Sequence, residues 1–165
     1  MKYQEKKYKV DSFVTISKLL NEKGAKNEKE VVTMHYYTQQ PNNEVVKLVE
    51  YDNHNEIHIL TESNGKYLLK QKIPVLTTEA GLKWLKDKGY KIVDLVKMVY
   101  TDYEYKNGIV GLYVINDFLY SVILDFPEGQ LKTIENEFGL SNIEIINIPY
   151  NKLLDQLGRL HSVDL

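Results

Sequence analysis

The sequence predicts an α+β fold in which helices punctuate a run of antiparallel strands. Two alternating runs, Glu56–Glu62 and Lys66–Ile73, flank Ser63-Asn64-Gly65 and read as a β-hairpin. Three strand candidates, roughly 95–105, 109–116 and 118–126, then follow one another across short polar turns. A wound parallel sheet would place a helix between each pair. The helical segments stand out by apolar spacing and by the capping residues at their ends.

Taken in order, residues 2–10 (KYQEKKYKV) form a polar-rich strand that ends at Asp11-Ser12, a predicted N-cap pair. Phe13, Ile16, Leu19 and Leu20 share one helix face, and Gly24 closes that helix. Residues 29–38 are rich in β-branched and aromatic types and read as a strand, broken by Gln39-Gln40-Pro41-Asn42-Asn43. A short strand over Val45–Tyr51 precedes the turn cluster Asp52-Asn53-His54-Asn55 and the hairpin. Pro74 is expected to end the second hairpin strand. Thr77-Thr78-Glu79 opens a helix carrying Leu82, Trp84 and Leu85 and stopping at Gly89. After the three late strands, Pro127-Glu128-Gly129 starts a helix with Leu131, Ile134 and Phe138 on one face, closed by Gly139. Ile143–Ile148 is a short extended segment, and Pro149 is placed at the first turn of a last helix through Leu157.

The chain has 165 residues, the size of one domain, and residues 1–165 show no repeat, linker or low-complexity tract. There is no cysteine, which excludes a disulfide scaffold, a thiolate metal site and a cysteine nucleophile. No apolar run approaches the ~20 residues of a membrane-spanning helix. The expectation is a soluble, cytoplasmic protein that uses no membrane. With 21 basic and 23 acidic residues there is no net field to gather nucleic acid, and none is expected as partner. Arg159 is the only arginine, so an anion site must use lysine, histidine and backbone N–H groups. No glycine-rich phosphate loop, serine elbow or histidine metal motif occurs.

Alternation places Tyr3, Glu5, Lys7 and Lys9 on one face of the first strand, with Gln4, Lys6, Tyr8 and Val10 on the other. Few strands divide cleanly into apolar and polar faces. Two arrangements fit: a small barrel with a polar lumen and helices outside, or a sheet with one solvated face.

The order of elements, with several local strings, resembles the CYTH superfamily, the triphosphate-tunnel proteins related to class IV adenylate cyclases and thiamine triphosphatases. Tyr3-Gln4-Glu5-Lys6-Lys7 stands where that family opens with E-x-E-x-K. Lys23-Gly24-Ala25 and Tyr36-Tyr37-Thr38-Gln39-Gln40-Pro41 are similar to its next two segments. Ile57-His58-Ile59-Leu60 and Leu69-Lys70-Gln71-Lys72-Ile73-Pro74 fall on its basic hairpin. Ile123-Leu124-Asp125, Gly139-Leu140 and Pro149-Tyr150-Asn151-Lys152-Leu153-Leu154 match its closing segments.

The resemblance implies an antiparallel β-barrel with helices packed outside and a small-molecule triphosphate as ligand: a nucleotide, thiamine triphosphate or inorganic tripolyphosphate. It implies Glu5 and Asp125 as ligands of Mg²⁺ or Mn²⁺, and Lys7 and Lys72 as catalytic. Phosphate binding is carried over to Lys7, His58, Lys70, Lys72 and Lys97. The oligomeric state is left open. Tyr3 and Ile123 replace two of the family's acids, and His58, Leu60 and Val99 replace arginines. Lysine lacks arginine's two-pronged geometry, so the implied hydrolase or cyclase activity is weak or altered. The alternative is a catalytically inactive tunnel that binds a ligand or a protein partner.

Overall fold

The structure, a computed structural model, describes residues 2–39 and 43–162. The break expected at Gln40-Pro41-Asn42 lies outside the described residues. In chain order the elements are β1 (Tyr3–Val10), α1 (Val14–Glu22), β2 (Lys26–Asn27), β3 (Val31–Thr38) and β4 (Glu44–Glu50). Then come β5 (Asn55–Ser63), β6 (Lys66–Val75), α2 (Thr78–Asp87), β7 (Ile92–Tyr105) and β8 (Gly108–Ile115). The chain continues through β9 (Leu119–Pro127), α3 (Leu131–Glu137), β10 (Ile145–Ile146), α4 (Tyr150–Gln156) and β11 (His161–Ser162). The strand pairings in both units are antiparallel, so the fold is α+β as the sequence predicts.

These elements group into two compact units that are interleaved along the chain. The first unit takes in the residues up to Glu30 together with Val99–Ile146. Its sheet runs β10-β1-β9-β8 and on to the second half of β7, on which β2 pairs Lys26 with Glu104. Tyr8 of β1, Val122, Leu124 and Phe126 of β9 and Val110 of β8 are buried against Ile16 and Leu20 of α1 and against Leu131, Ile134 and Phe138. Period-2 alternation therefore turns the Glu5 and Lys7 side of β1 away from the helices.

The second unit takes in Val31–Met98 and the chain from Asn147. Its sheet runs from the first half of β7 through β3, β4, β5 and β6. Val46, Leu48 and Ile57 pack with Leu85 of α2 and Ile92. Tyr37, Lys47, His58 and Lys72 are carried on the other face. Each unit thus covers one sheet face with helices and uses the other for polar side chains. Among the described residues neither ladder returns on itself, since β10 ends one and β6 ends the other. The barrel implied by the resemblance is therefore an open antiparallel sheet in its hydrogen bonding.

Several local expectations shift. Phe13, not Asp11 or Ser12, occupies the position before α1, and no side chain caps that helix. The two polar residues stand too early to reach the first free amides. At α2 the expected cap does form: Thr77 accepts from the Ala80 N–H at 3.0 Å. β6 continues through Pro74 to Val75: among the described residues it pairs with β5 alone, and an edge strand tolerates a proline. Pro149 precedes α4 rather than entering it, and only Ile145–Ile146 of the late extended segment pairs. The β5–β6 turn is tighter than expected, with Asn64 and Gly65 at φ 50° and 79°. A Cβ on Gly65 would lie 1.8 Å from the Asn147 carbonyl oxygen, so only glycine fits.

Candidate functional site

In the second unit four strands bring one polar side chain each to the same level. Tyr37 of β3 pairs with Lys47 of β4, Lys47 with His58 of β5, and His58 with Lys72 of β6. Directly paired residues share a face, so these side chains form one row. Lys47 is the least expected member. It is 6% exposed, its Nζ donates to the Tyr37 hydroxyl at 3.3 Å, and it sits 4.9 Å from that ring's centre. Burial removes hydration from its ammonium and pulls its pKa from 10.5 to about 7.

His58 is buried beside it, and burial lowers its pKa, with the Lys47 and Lys72 charges acting in the same direction. Its Nε2 bonds Glu56 Oε1 at 3.2 Å, which opposes that fall. For Glu56, burial acts to raise the carboxyl. The His58 hydrogen bond and the Lys72, His58 and His54 charges together outweigh burial and hold it low. Tyr37 is pushed above its ordinary range by burial, then by Tyr67 and Asp94. Tyr37, Lys47 and His58 therefore concentrate donors and latent positive charge where little water reaches them, and Lys72 ends the row exposed to solvent. Phosphate oxygens, which bring their own negative charge, would restore the charged forms.

One strand step from Tyr37 lies His35, also buried. Its Nε2 is 2.9 Å from Thr33 Oγ1, and its ring faces Tyr37 at 6.2 Å between centres. Burial, then the Lys47 and His58 charges, drives its pKa well below the usual histidine value. Its Nδ1 is shielded from solvent and has no hydrogen-bond partner among the described residues.

In the first unit the side of β1 opposite the helices is acidic at one end. Glu5 of β1 pairs directly with Asp125 of β9, which in turn pairs with Ile109 of β8. Lys7 pairs with Ile123, one step along the same face. Asp102 of β7 belongs to this neighbourhood: burial, followed by the charges of Glu28 and Asp125, raises its carboxyl. A Cβ on Gly111 would lie 2.9 Å from its Oδ1, so that glycine keeps Asp102 room. A carboxyl raised by burial and by neighbouring negative charge is one that a divalent cation relieves. Still, no group of three or more such ligands converges among the described residues. Glu5 and Asp125 therefore suit a water-rich cation held by one or two carboxylates, not a two-metal clamp.

The sequence-predicted residues divide between the units. Glu5, Lys7 and Asp125 share a face in the first, while His58 and Lys72 are paired in the second. Lys97 is half-buried on β7 in the second unit. Lys70 is exposed and falls at a register shift between Ile59 and Leu60, where Gln71 and then Leu69 are paired and Lys70 is skipped. Of the replaced positions, Leu60 is built into the buried apolar set, and Tyr3 donates to the Asn107 carbonyl at 2.8 Å. Sequence reasoning missed Lys47, His35 and Asp102. A lysine inside Val45-Val46-Lys47-Leu48-Val49 was the available signal for the first, since a charge so placed is held by something.

No protein-family model matches the chain, and no curated protein matches it in sequence. Solved structures do match. A conserved hypothetical protein from Pyrococcus furiosus aligns with a TM-score of 0.76 and 12% identity over 90% of this chain and 98% of that one. An adenylate cyclase candidate from Vibrio parahaemolyticus aligns with a TM-score of 0.71 and 10% identity over 93% and 97%. HpAC1 from Hippeastrum, an adenylyl cyclase candidate with a dominant triphosphatase activity, aligns with a TM-score of 0.65 and 12% identity over 98% of each chain. At such identities the likeness is one of fold. The order of strands and helices, the polar row and the acidic strand pair are thus carried on a fold shared with adenylate cyclase candidates and an inorganic triphosphatase.

Proposed function

We propose that this protein binds a triphosphate compound in the cytoplasm, and that its turnover, by hydrolysis or cyclisation, is slow. The observation that carries the reading is the buried Lys47 in register with His58 and Lys72. A buried ammonium with one weak partner is expensive to keep unless an anion completes it. Lys7 adds a second cationic position in the first unit, where Glu5 and Asp125 would hold Mg²⁺ or Mn²⁺. When bound, such a cation would neutralise phosphate charge. Slow turnover is supported by the positions occupied by Leu60, Val99, Tyr3 and Ile123, which supply neither bidentate cations nor further metal ligands. The dominant triphosphatase activity of HpAC1 supports a polyphosphate ligand class.

The second reading, an inactive tunnel that binds a ligand or a protein partner, is favoured by the same replacements, above all by Leu60 packed into the apolar set. Thermal denaturation with tripolyphosphate, ATP and thiamine triphosphate, each with and without Mg²⁺ or Mn²⁺, tests for the ligand, and phosphate or pyrophosphate release from the same compounds tells slow turnover from an inactive tunnel. Ligand at 100 times its dissociation constant stabilises by about 2.7 kcal/mol. The reading expects such a gain with at least one of these compounds, reduced in Lys7→Ala and Lys72→Ala. No stabilisation by any of them overturns it and leaves a protein partner as the ligand.

A further inference from the structure

His35 is used by neither the phosphate row nor the packing of the core, yet its surroundings define its protonation. Thr33 Oγ1 lies 3.4 Å from the Met98 carbonyl and 2.9 Å from His35 Nε2. A hydroxyl has one proton, and a carbonyl can only accept. Thr33 therefore donates to Met98, and its oxygen accepts from Nε2–H. That leaves Nδ1 as a bare lone pair. In this buried setting the lone pair is unmatched, while the Lys47 and His58 charges press on the same ring. Lysine has no acceptor to offer, and the Lys47 Nζ donates to the Tyr37 hydroxyl. Buried polar atoms left so in a folded chain are characteristic of ligand and catalytic sites.

A lone pair beside a phosphate-binding row needs a proton donor, and phosphate esters with all oxygens ionised have none. The donor that accompanies phosphoryl transfer is the attacking hydroxyl. Resting on the triphosphate reading above, we propose that His35 Nδ1 is the general base that takes the proton of the hydroxyl attacking a phosphate held by Lys47 and His58. The hydroxyl oxygen forms the new bond to phosphorus as the bridging P–O bond breaks. The proton passes to Nδ1, and the leaving phosphate departs with the bond's electron pair. Thr33 is the positioning residue, because its link to Nε2 fixes the tautomer that leaves Nδ1 free to accept. The hydroxyl is water in hydrolysis, or the ligand's own hydroxyl in cyclisation.

The test compares binding with turnover. For wild type, His35→Gln and His35→Asn, tripolyphosphate binding is measured by calorimetry. Product release from tripolyphosphate and ATP is followed with Mg²⁺ or Mn²⁺. Glutamine reaches the Nε2 position and keeps the Thr33 link but offers no acceptor at Nδ1. Asparagine, which likewise has no basic nitrogen, serves as a second variant should the first fail to fold. Loss of a general base lowers rates by about 10²–10⁴-fold. His35→Gln is expected to bind tripolyphosphate within about threefold of wild type while its turnover falls at least about 100-fold. His35→Asn should lose turnover to a similar extent, because an amide oxygen accepts a hydrogen bond but takes up no proton. Solvent oxygen-18 appears in the product if water attacks, and pyrophosphate leaves without it if the ligand's hydroxyl attacks. Turnover in His35→Gln close to wild type, or binding lost in proportion to turnover, overturns the role. So does a wild type that binds but never turns over. A wild type that binds no polyphosphate overturns the triphosphate reading as well, which keeps the two failures apart.

Discussion

Replacing Lys47 by methionine keeps much of the side chain's volume and removes its charge. The folded chain holds this lysine at a pKa of about 7, against 10.5 for an exposed lysine. At about 1.4 kcal/mol per pH unit, that fall corresponds to roughly 5 kcal/mol disfavouring the charged form in the folded state. Below pH 7 the group is charged both folded and unfolded, so the full penalty applies. Between about 7 and 10.5 the unfolded chain binds more protons than the folded one, so stability rises with pH. Above 10.5 the penalty is gone.

At pH 6 the variant loses the hydrogen bond and ring contact with Tyr37, together worth about 2–3 kcal/mol, and is relieved of the penalty. It should therefore be about 2 kcal/mol more stable than wild type. By pH 9.5 wild type recovers about 3 kcal/mol and the order reverses. Urea denaturation followed by Trp84, the only tryptophan, measures both chains at each pH. His35 and His58 feel the Lys47 charge and are lowered below the usual histidine range, so from pH 7 upward the difference between the two proteins isolates Lys47. A difference constant to within about 1 kcal/mol from pH 6 to 9.5 would refute the claim that burial, rather than design of the fold around a neutral site, governs this lysine.

Two further outcomes are expected. Glu5→Gln and Asp125→Asn should each abolish the enhancement of tripolyphosphate binding by Mg²⁺ while leaving metal-free binding in place; calorimetry with an unchanged metal effect in both variants counts against the carboxylate pair. Gly65→Ala must place a Cβ against the Asn147 carbonyl at a positive φ, and should lower stability by at least about 2 kcal/mol, measured by thermal denaturation.

Much of the fold was legible because its signals are local. Asn64-Gly65 between alternating runs, Thr77 before Leu82 and Leu85, and glycines at positions 24, 89 and 139 mark turns and helix ends without reference to distant residues. The closing of a barrel, by contrast, depends on which strand edges meet, and no local pattern records that. The paired Glu5 and Asp125 and the paired His58 and Lys72 were reachable through alternation combined with the family resemblance. Lys47 and His35 were not, because a strand pattern reports which face a side chain takes but not how deeply that face is covered. Lys70 shows the converse: period 2 puts it with Lys72, and a register shift invisible in the sequence separates them. Asp102 was masked by the tyrosines around it, whose packing dominates the reading of that strand.

The pairing of β1 bears on how the chain is made. Tyr3 pairs with Pro127, 124 residues later, and the other neighbour of β1 is β10, later still. At about 5–20 residues per second, the first strand leaves the ribosome some 6–25 s before its partner exists. Through that interval it is an orphan, and an orphan strand of apolar residues would be a template for aggregation. Lys2 precedes it and Lys6, Lys7 and Lys9 lie within it, so it waits as a charged segment that repels its own copies. The residues that precede β3 thus depend on the chain beyond Met98 for their unit, while Val31–Met98 has most of its own strands beside it as it emerges. The second unit, with its basic row, is placed to assemble first during synthesis, and β1 is drawn into its sheet only after β9 arrives.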